Sequence, residues 1–234
     1  MITIFSTLKP DIGYRQRNAV TSWAALPRCE VLLIGDEARE LAGEKGARWV
    51  GDVERTELGT PLLDSLFSVA QDNSPNHLFL YVNDDVILFD DIVWAAEECA
   101  SQFGRFLMVG QRTELTVRGE IDFSDQDWQD RLGPSRLMHP CGCDYFVFTR
   151  GLWSSMLPLA IGRTTFDNWL IWSTLRAGLP VVNATQIVTA IHQTHAPNPV
   201  SRTGPEARRN QEIAGIVGKG YEGWVSHATH QMGE

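Results

Sequence analysis

Apolar runs and segments of helical period alternate along the first half of the chain. Residues 2–7 (ITIFST), 30–36 (EVLLIGD), 47–53 (ARWVGDV) and 78–89 (LFLYVNDDVILF) are rich in β-branched, leucine and aromatic residues. Runs of this kind, apolar without clean alternation, predict strands buried on both faces. Residues 15–26 have helical spacing, and 37–46 read as a helix closed by Gly46. Residues 60–71 carry apolar side chains at 62, 63, 66, 67 and 70, with Thr60 as the expected N-cap and Pro61 in first position. A helix over 90–103, capped by Asp90 or Asp91, follows the strand at 78–89. This β-α alternation predicts an α/β layer built on a mostly parallel sheet.

The second half is less regular. Residues 105–112 and 143–150 predict strands, and 164–178 predict a helix stopped by Gly178. Residues 179–195 predict one or two strands, and 205–217 a last helix with Pro205 in its first turn. With no repeat, low-complexity tract or convincing linker, the expectation is one domain over 1–234, with halves meeting at about residue 112.

Composition narrows the function classes. A chain of 234 residues, 43% hydrophobic, supports one sizeable core. A net charge of −9 argues against indiscriminate binding to nucleic-acid phosphates, while leaving a local basic groove open. The first residues lack a secretory pattern, and no apolar run reaches the roughly 18–20 residues needed to span a bilayer. A cytoplasmic protein without integral membrane association is therefore expected. Cys29, Cys99, Cys141 and Cys143 then read as reduced thiols. The Cys-Gly-Cys at 141–143 lies near His139, but no second Cys/His pair matches it, so plain loop cysteines are expected.

The chemistry gathers at Asn83-Asp84-Asp85, in the middle of an apolar run. Burying a carboxylate is costly unless something compensates it. In a parallel sheet the carboxyl ends of the strands open into the ligand cleft, so these residues sit where a strand ends. They either end the strand and cap the next helix, or form a metal–diphosphate site. A phosphatase nucleophile is disfavoured, because Asn83 stands where the attacking acid is needed.

Several motifs in order change this balance: ITIFSTLKP, QRNAVTSW, LLIGDE, VERTELGTPLLDSLF, YVNDDVIL, GCDYFVFTRGLW, AIGRTTFDNWLIW, VTAIHQTH and GPEARRN. From about Ile2 to about Asn210 the chain resembles nucleotide-diphospho-sugar transferases of the GT-A fold. The usual Asp-x-Asp stands here as Asn83-Asp84-Asp85. The resemblance implies a Rossmann-like three-layer sandwich, with a nucleotide-binding half over about 1–112 and an acceptor-binding half over about 113–234. It implies a nucleotide-sugar donor, UDP-linked by preference, a hydroxyl-bearing acceptor, and Mn²⁺ or Mg²⁺.

Site roles follow from the same resemblance. Ser6 and Thr7 end the first strand where base and ribose lie. Asp36 faces base or ribose, or caps the next helix. Arg17 faces a phosphate, or is an exposed helix charge. Arg55 and the amides near Gly59 and Thr60 receive polar groups of the nucleotide, or form a cap. Asp85 binds metal directly, with Asn83 or Asp84 holding ribose or a metal-bound water. His192 and His195, after an apolar run, supply a further metal ligand. Asp167 is either an N-cap or the general base that takes the acceptor proton, and Asp144, which shapes the acceptor pocket, is the second catalytic candidate, next in line as that base. Trp169 and Trp172 pack in the core or form an acceptor platform. Residues 196–210 form a closing loop, with Arg202, Arg208 or Arg209 meeting phosphate. Two other classes stay open: a non-catalytic nucleotide-sugar or glycan-binding module, and a sugar nucleotidyltransferase, although residues 5–17 lack the glycine cluster such enzymes carry after the first strand.

Overall fold

The computed structural model describes residues 1–125, 127–128, 132–196, 199–215 and 223–233. Its first half runs β1 (Ile2–Thr7), α1 (Tyr14–Ala24), β2 (Cys29–Ile34), α2 (Arg39–Lys45), β3 (Arg48–Val50), α3 (Leu63–Asp72), β4 (Leu78–Val82), β5 (Val86–Leu88) and α4 (Asp91–Gln102). It continues through β6 (Leu107–Val109), β7 (Thr113–Leu115), β8 (Arg136–Leu137), β9 (Tyr145–Thr149), α5 (Phe166–Arg176), β10 (Val181–Asn183), β11 (Ala190–Gln193), α6 (Pro199–Thr203), α7 (Pro205–Ala214) and β12 (His230–Gln231).

The main sheet has the order β12-β10-β6-β9-β4-β1-β2-β3. Its neighbours pair in parallel except β9, which is antiparallel to both β4 and β6. Both faces are covered, and strand alternation sorts side chains between them. Ile2, Ile4, Leu80 and Val82 join the core beneath α1, α2 and α4. Phe5, Phe79 and Tyr81 join the opposite core with Phe67 of α3 and Leu170 of α5. That second core is strongly aromatic. Phe67 meets Phe5 edge-on at 5.0 Å and stacks on Phe148 at 5.1 Å, each contact worth about 0.5–1.5 kcal/mol beyond its buried area. Helices, sheet and helices thus form the expected three-layer, Rossmann-like sandwich on a mostly parallel sheet.

A second sheet, in the order β5-β11-β7-β8, sits apart from the main one around Ile87, Leu115, Val117 and Ile191. The run expected as one strand over 78–89 therefore divides. β4 stays in the main sheet, Asn83-Asp84-Asp85 turn the chain, and β5 enters the second sheet. Polar residues at the division are what breaks the strand.

The helix expected from 60 begins at Leu63, with Leu62 rather than Thr60 at the cap position. The backbone before it is engaged elsewhere. Arg55 bridges Pro61, Leu62 bridges Ala160, and the Leu63 N–H donates to Leu159 O at 2.8 Å. Residues 179–195 give two strands, β10 and β11. The last helix ends at Ala214, with Gly215 left-handed at φ 61°; the expectation for 216 and 217 lies outside the described residues. Trp169 is buried in the core beneath α5, and Trp172 packs against it. All four cysteines are free thiols. No helix among the described residues is long and apolar enough to cross a membrane.

Candidate active site

Three backbone arrangements build the site at the carboxyl end of β4. β1 and β4 run parallel, so Thr7 and Asn83 leave the sheet on the same edge. β9 runs the other way, and its Val82↔Tyr145 register brings the start of β9 to that edge. The Asn83 N–H consequently donates to Asp144 O at 3.0 Å. β11 pairs antiparallel with β5, with His192 opposite Val86. Gln193 fixes the turn, donating to Asp85 O from its backbone at 3.2 Å and from its side chain at 3.1 Å.

Asp85, His192 and His195 converge, with one ligand atom from each within 4.8 Å of the others. Asp85 Oδ2 lies 3.1 Å from His195 Nε2 and 3.6 Å from His192 Nε2. Asp85 and His192 are buried, and His195 is partly exposed. Burial opposes ionisation of Asp85, but the His195 hydrogen bond and the charges of His192 and Lys9 outweigh it and hold the carboxyl down at about 2. The two histidines diverge. Burial pushes His192 below its ordinary value, and the hydrogen bond to Asp85 lifts His195 above it. The buried Nδ1 of His192 has no hydrogen-bond partner among the described residues, so that ring nitrogen is not committed to a protein partner.

One carboxylate with two imidazoles is a borderline donor set. It fits Mn²⁺ better than Mg²⁺, which prefers oxygen ligands throughout. Asp84 is differently placed. Its Oδ2 accepts the Lys9 N–H at 3.0 Å and Gln16 Nε2 at 3.3 Å, while Oδ1 faces Lys9 Nζ at 3.2 Å. Both oxygens are thus occupied by the loop after β1 and by α1. Burial still raises the Asp84 carboxyl above its ordinary value.

Beside this cluster, Asp144 is also fully engaged. Arg112 Nη1 donates to its two oxygens at 3.1 and 2.9 Å, and Asn83 Nδ2 donates to Oδ1 at 2.9 Å. Arg112 is held in turn by Glu114 at 3.2 Å, and Glu114 by Arg136 at 3.1 Å. Asp167 is the contrasting acid. It sits in the first turn of α5, whose N-cap position belongs to Thr165, so Asp167 does not cap the helix. Its Oδ1 accepts the adjacent Asn168 N–H at 2.9 Å. Burial pushes its carboxyl up to about 6, with the Asp144 charge adding to the rise. The two neighbouring acids thus differ: Asp144 is paired with a guanidinium, whereas Asp167 has no cationic partner this close and is raised by burial.

The other candidate residues divide. The Ser6 hydroxyl donates to Val82 O at 2.6 Å and ties β1 to β4. Thr7 Oγ1 is buried without a hydrogen-bond partner among the described residues. It lies beside Gly35, whose φ of 104° needs glycine and where an added Cβ would stand 3.5 Å from that oxygen. Asp36 follows at the end of β2 and is exposed. Arg55 pairs with Glu37 at 2.7 Å. These residues line the edge where β1 and β2 end.

Three residues are committed elsewhere. Arg17 is spent on Glu44 and on Glu120. Arg208 is exposed and donates to Thr203 O at 2.8 Å. Thr60 Oγ1 donates to the buried Glu206 of α7 at 2.9 Å and accepts from Arg163 at 2.9 Å. Arg163 also reaches Glu206 at 2.8 Å, and Thr56 donates to the same carboxylate. Where a closing loop is expected, the described residues form the helices α6 and α7, and this latch fastens α7 to residues 56–60.

Sequence reasoning misses Lys9, Gln16, Arg112 and Gln193. Arg112 carries a legible signal, a cation at the end of the apolar run 105–112. Lys9 stands two residues beyond the first strand, within the motif ITIFSTLKP.

No protein-family model and no curated protein matches the chain. Among solved structures, a mycobacterial protein aligns over 94% of this chain and 76% of its own, at 16% identity and a TM-score of 0.53. A Bacillus anthracis protein classed as a candidate glucose-1-phosphate thymidylyltransferase aligns over 91% of this chain and 94% of its own, at 12% identity and a TM-score of 0.48. The TarS 1-349 fragment from S. aureus aligns over 52% of this chain and 38% of its own, at 15% identity and a TM-score of 0.38; that protein has been crystallised with UDP and with UDP-GlcNAc. The chain thus spans well under half the length of the TarS structures it matches. The likeness to the mycobacterial structure runs along nearly the whole chain and is one of fold, in keeping with the three-layer α/β sandwich on a mostly parallel sheet.

Proposed function

We propose that the protein is a glycosyltransferase that moves a sugar from a nucleoside-diphosphate donor, UDP-linked by preference, to a hydroxyl acceptor with a divalent cation bound. The reading is carried by one observation: Asp85, His192 and His195 converge where β4 ends. Thr7, Asp36 and Arg55 would take the nucleotide at the edge of β1 and β2. Asp85, His192 and His195 would hold the cation, Mn²⁺ before Mg²⁺ on donor type. When bound, the cation supplies positive charge against the departing diphosphate.

The chain's own residues do the rest. Asp167 takes the proton of the acceptor hydroxyl as that oxygen attacks the anomeric carbon from the face opposite the leaving diphosphate, a single displacement with inversion. A carboxyl near 6 is well matched to a base working at neutral pH. Arg112 and Asn83 engage both oxygens of Asp144 and fix it in place, so it orients the acceptor side of the pocket. The orphaned Thr7 hydroxyl is a ready hydrogen-bond partner for the nucleotide.

The test is thermal unfolding with UDP, with and without Mn²⁺, followed by UDP release from UDP-sugars across a panel of hydroxyl acceptors. At 100 times its dissociation constant, a ligand adds about 2.7 kcal/mol of stability. A Mn²⁺-dependent shift with UDP, followed by acceptor-dependent release, supports the reading. No shift with any nucleoside diphosphate plus Mn²⁺ or Mg²⁺ overturns it.

A further inference from the structure

Lys9 reaches both acids of the turn after β4. Its ammonium lies 3.2 Å from Asp84 Oδ1 and 3.7 Å from Asp85 Oδ2. The acid side chains are only 8% and 5% exposed, whereas that of Lys9 is 58% exposed. The ammonium therefore closes the site from its solvent side. We propose that Lys9 is the resident counter-cation of the acid pair, and that its ammonium passes to the donor's diphosphate when a divalent cation enters at Asp85, His192 and His195. The inference rests on the transferase reading and adds to it a coupling between metal and donor.

A single oxygen meets all three cationic or metal-ligating groups. Asp85 Oδ2 faces Lys9 Nζ at 3.7 Å, His192 Nε2 at 3.6 Å and His195 Nε2 at 3.1 Å. A divalent cation taking that oxygen and the two imidazoles would stand within a few ångströms of the ammonium. Like charges that close repel, and the repulsion is stronger where burial lowers the effective dielectric constant. Lysine is a compact point charge on a flexible stem, so it is free to leave. A diphosphate arriving at the same edge offers it a new partner, and lysine is a common ligand of such groups.

The backbone is prepared for this exchange. Asp84 Oδ2 stays bound to the Lys9 N–H at 3.0 Å and to Gln16 at 3.3 Å. The loop after β1 therefore remains anchored when the ammonium turns away. In the resting protein Lys9 opposes metal entry, and with donor present it favours donor retention. Metal and diphosphate must then bind with positive coupling, and by linkage each strengthens the other to the same degree.

The experiment compares the parent chain with Lys9→Met and Lys9→Arg, each checked for folding by thermal unfolding. Mn²⁺ affinity is measured without nucleotide by electron paramagnetic resonance of free Mn²⁺. UDP affinity is measured at saturating Mn²⁺ by calorimetry. Methionine keeps the stem and removes the charge. It should tighten Mn²⁺ alone about tenfold and weaken UDP about tenfold, at the low end of the range typical for coupled sites. Arginine should behave as the parent in both directions. The proposal is overturned if the methionine variant leaves both affinities unchanged or moves both the same way, while the parent still binds Mn²⁺ and UDP. If the folded parent binds neither, the transferase reading falls and this proposal falls with it.

Discussion

The side-chain amide of Asn83 donates to Asp144 Oδ1 at 2.9 Å, across the joint between the end of β4 and the start of β9. This contact accounts for an amide where the resemblance leads one to expect an acid. The antiparallel register of β9 fixes Asp144 against that position, and its carboxylate needs a donor there.

Asn83→Asp should therefore destabilise the protein rather than improve the metal motif. It would set two carboxylates at hydrogen-bonding distance, and one of them would have to take a proton. The expected loss at pH 7 is about 1–3 kcal/mol, read as a fall in Tm of roughly 2–4 °C per kcal/mol for a chain of this size. The introduced acid would have a raised folded-state pKa, so its penalty is absent below the usual carboxylate range and grows as pH rises. Thermal unfolding at pH 4 and pH 7 checks this. An equal loss at both values would point to lost packing instead of charge.

Asp85→Asn should cost stability as well as Mn²⁺ binding. The carboxyl lies at about 2 against an ordinary 3.8, so it favours the folded state by about 2 kcal/mol at neutral pH. For an acid with a depressed folded-state pKa, that contribution is present above the ordinary value and is lost as pH falls towards 2. Urea midpoints should separate parent from variant at pH 6 and draw them together as the pH is lowered below 4. Mn²⁺ should raise the Tm of the parent alone. A variant as stable as the parent at pH 6 would mean that the histidines and Lys9 do not compensate the acid.

The main sheet is legible in the sequence because its strands are covered on both faces, so β1, β2 and β4 read as unbroken apolar runs. β7, β8 and β12 are not legible, since two or three residues carry no period and are strands only by virtue of their partners. The second sheet is hidden for the same reason. β5 has the form of a tail to β4, and nothing local marks the turn at Asn83, Asp84 and Asp85 as a change of sheet. At the site, the acids and histidines stand out by type. Arg112 does not, because its meaning is a contact with Asp144, 32 positions away. Thr60-Pro61 has the local form of a helix start, but tertiary pairing of Leu62 and Leu63 to residues 159 and 160 claims that backbone first.

Glu206 gives a test of the C-terminal latch. Its buried carboxylate accepts from Arg163 Nε at 2.8 Å and Thr60 Oγ1 at 2.9 Å, and also from Thr56. Glu206→Ala would leave Arg163 largely buried without its partner. Breaking such pairs costs several kcal/mol, and the partial exposure of Arg163 brings the expectation to about 2–4 kcal/mol. Chemical denaturation measures it. Thr60→Val should share the direction with a smaller loss and leave UDP affinity unchanged. If instead UDP affinity falls while stability holds, Thr60 serves the nucleotide rather than the latch.

Asp167→Asn separates the two roles open to this side chain. Asparagine keeps the shape, and its amide oxygen can still accept the Asn168 N–H now held at 2.9 Å. It cannot take a proton at neutral pH. Donor affinity should stay near that of the parent, while sugar transfer falls by roughly 10²–10⁴, the usual contribution of a general base. The parent's turnover should decline as pH drops through about 6, because the base must be ionised to act. Stability should move the other way. An acid whose folded-state pKa is raised penalises folding above that value and not below its ordinary one. The asparagine variant should therefore be more stable than the parent at pH 8, by about 3 kcal/mol, and hardly more stable at pH 4. Transfer rate, UDP affinity and Tm at both pH values, measured on one preparation, decide the matter. Transfer near the parental rate would assign the base elsewhere; since Asp144 is paired with Arg112, the search would then turn to residues on the acceptor side of the cleft.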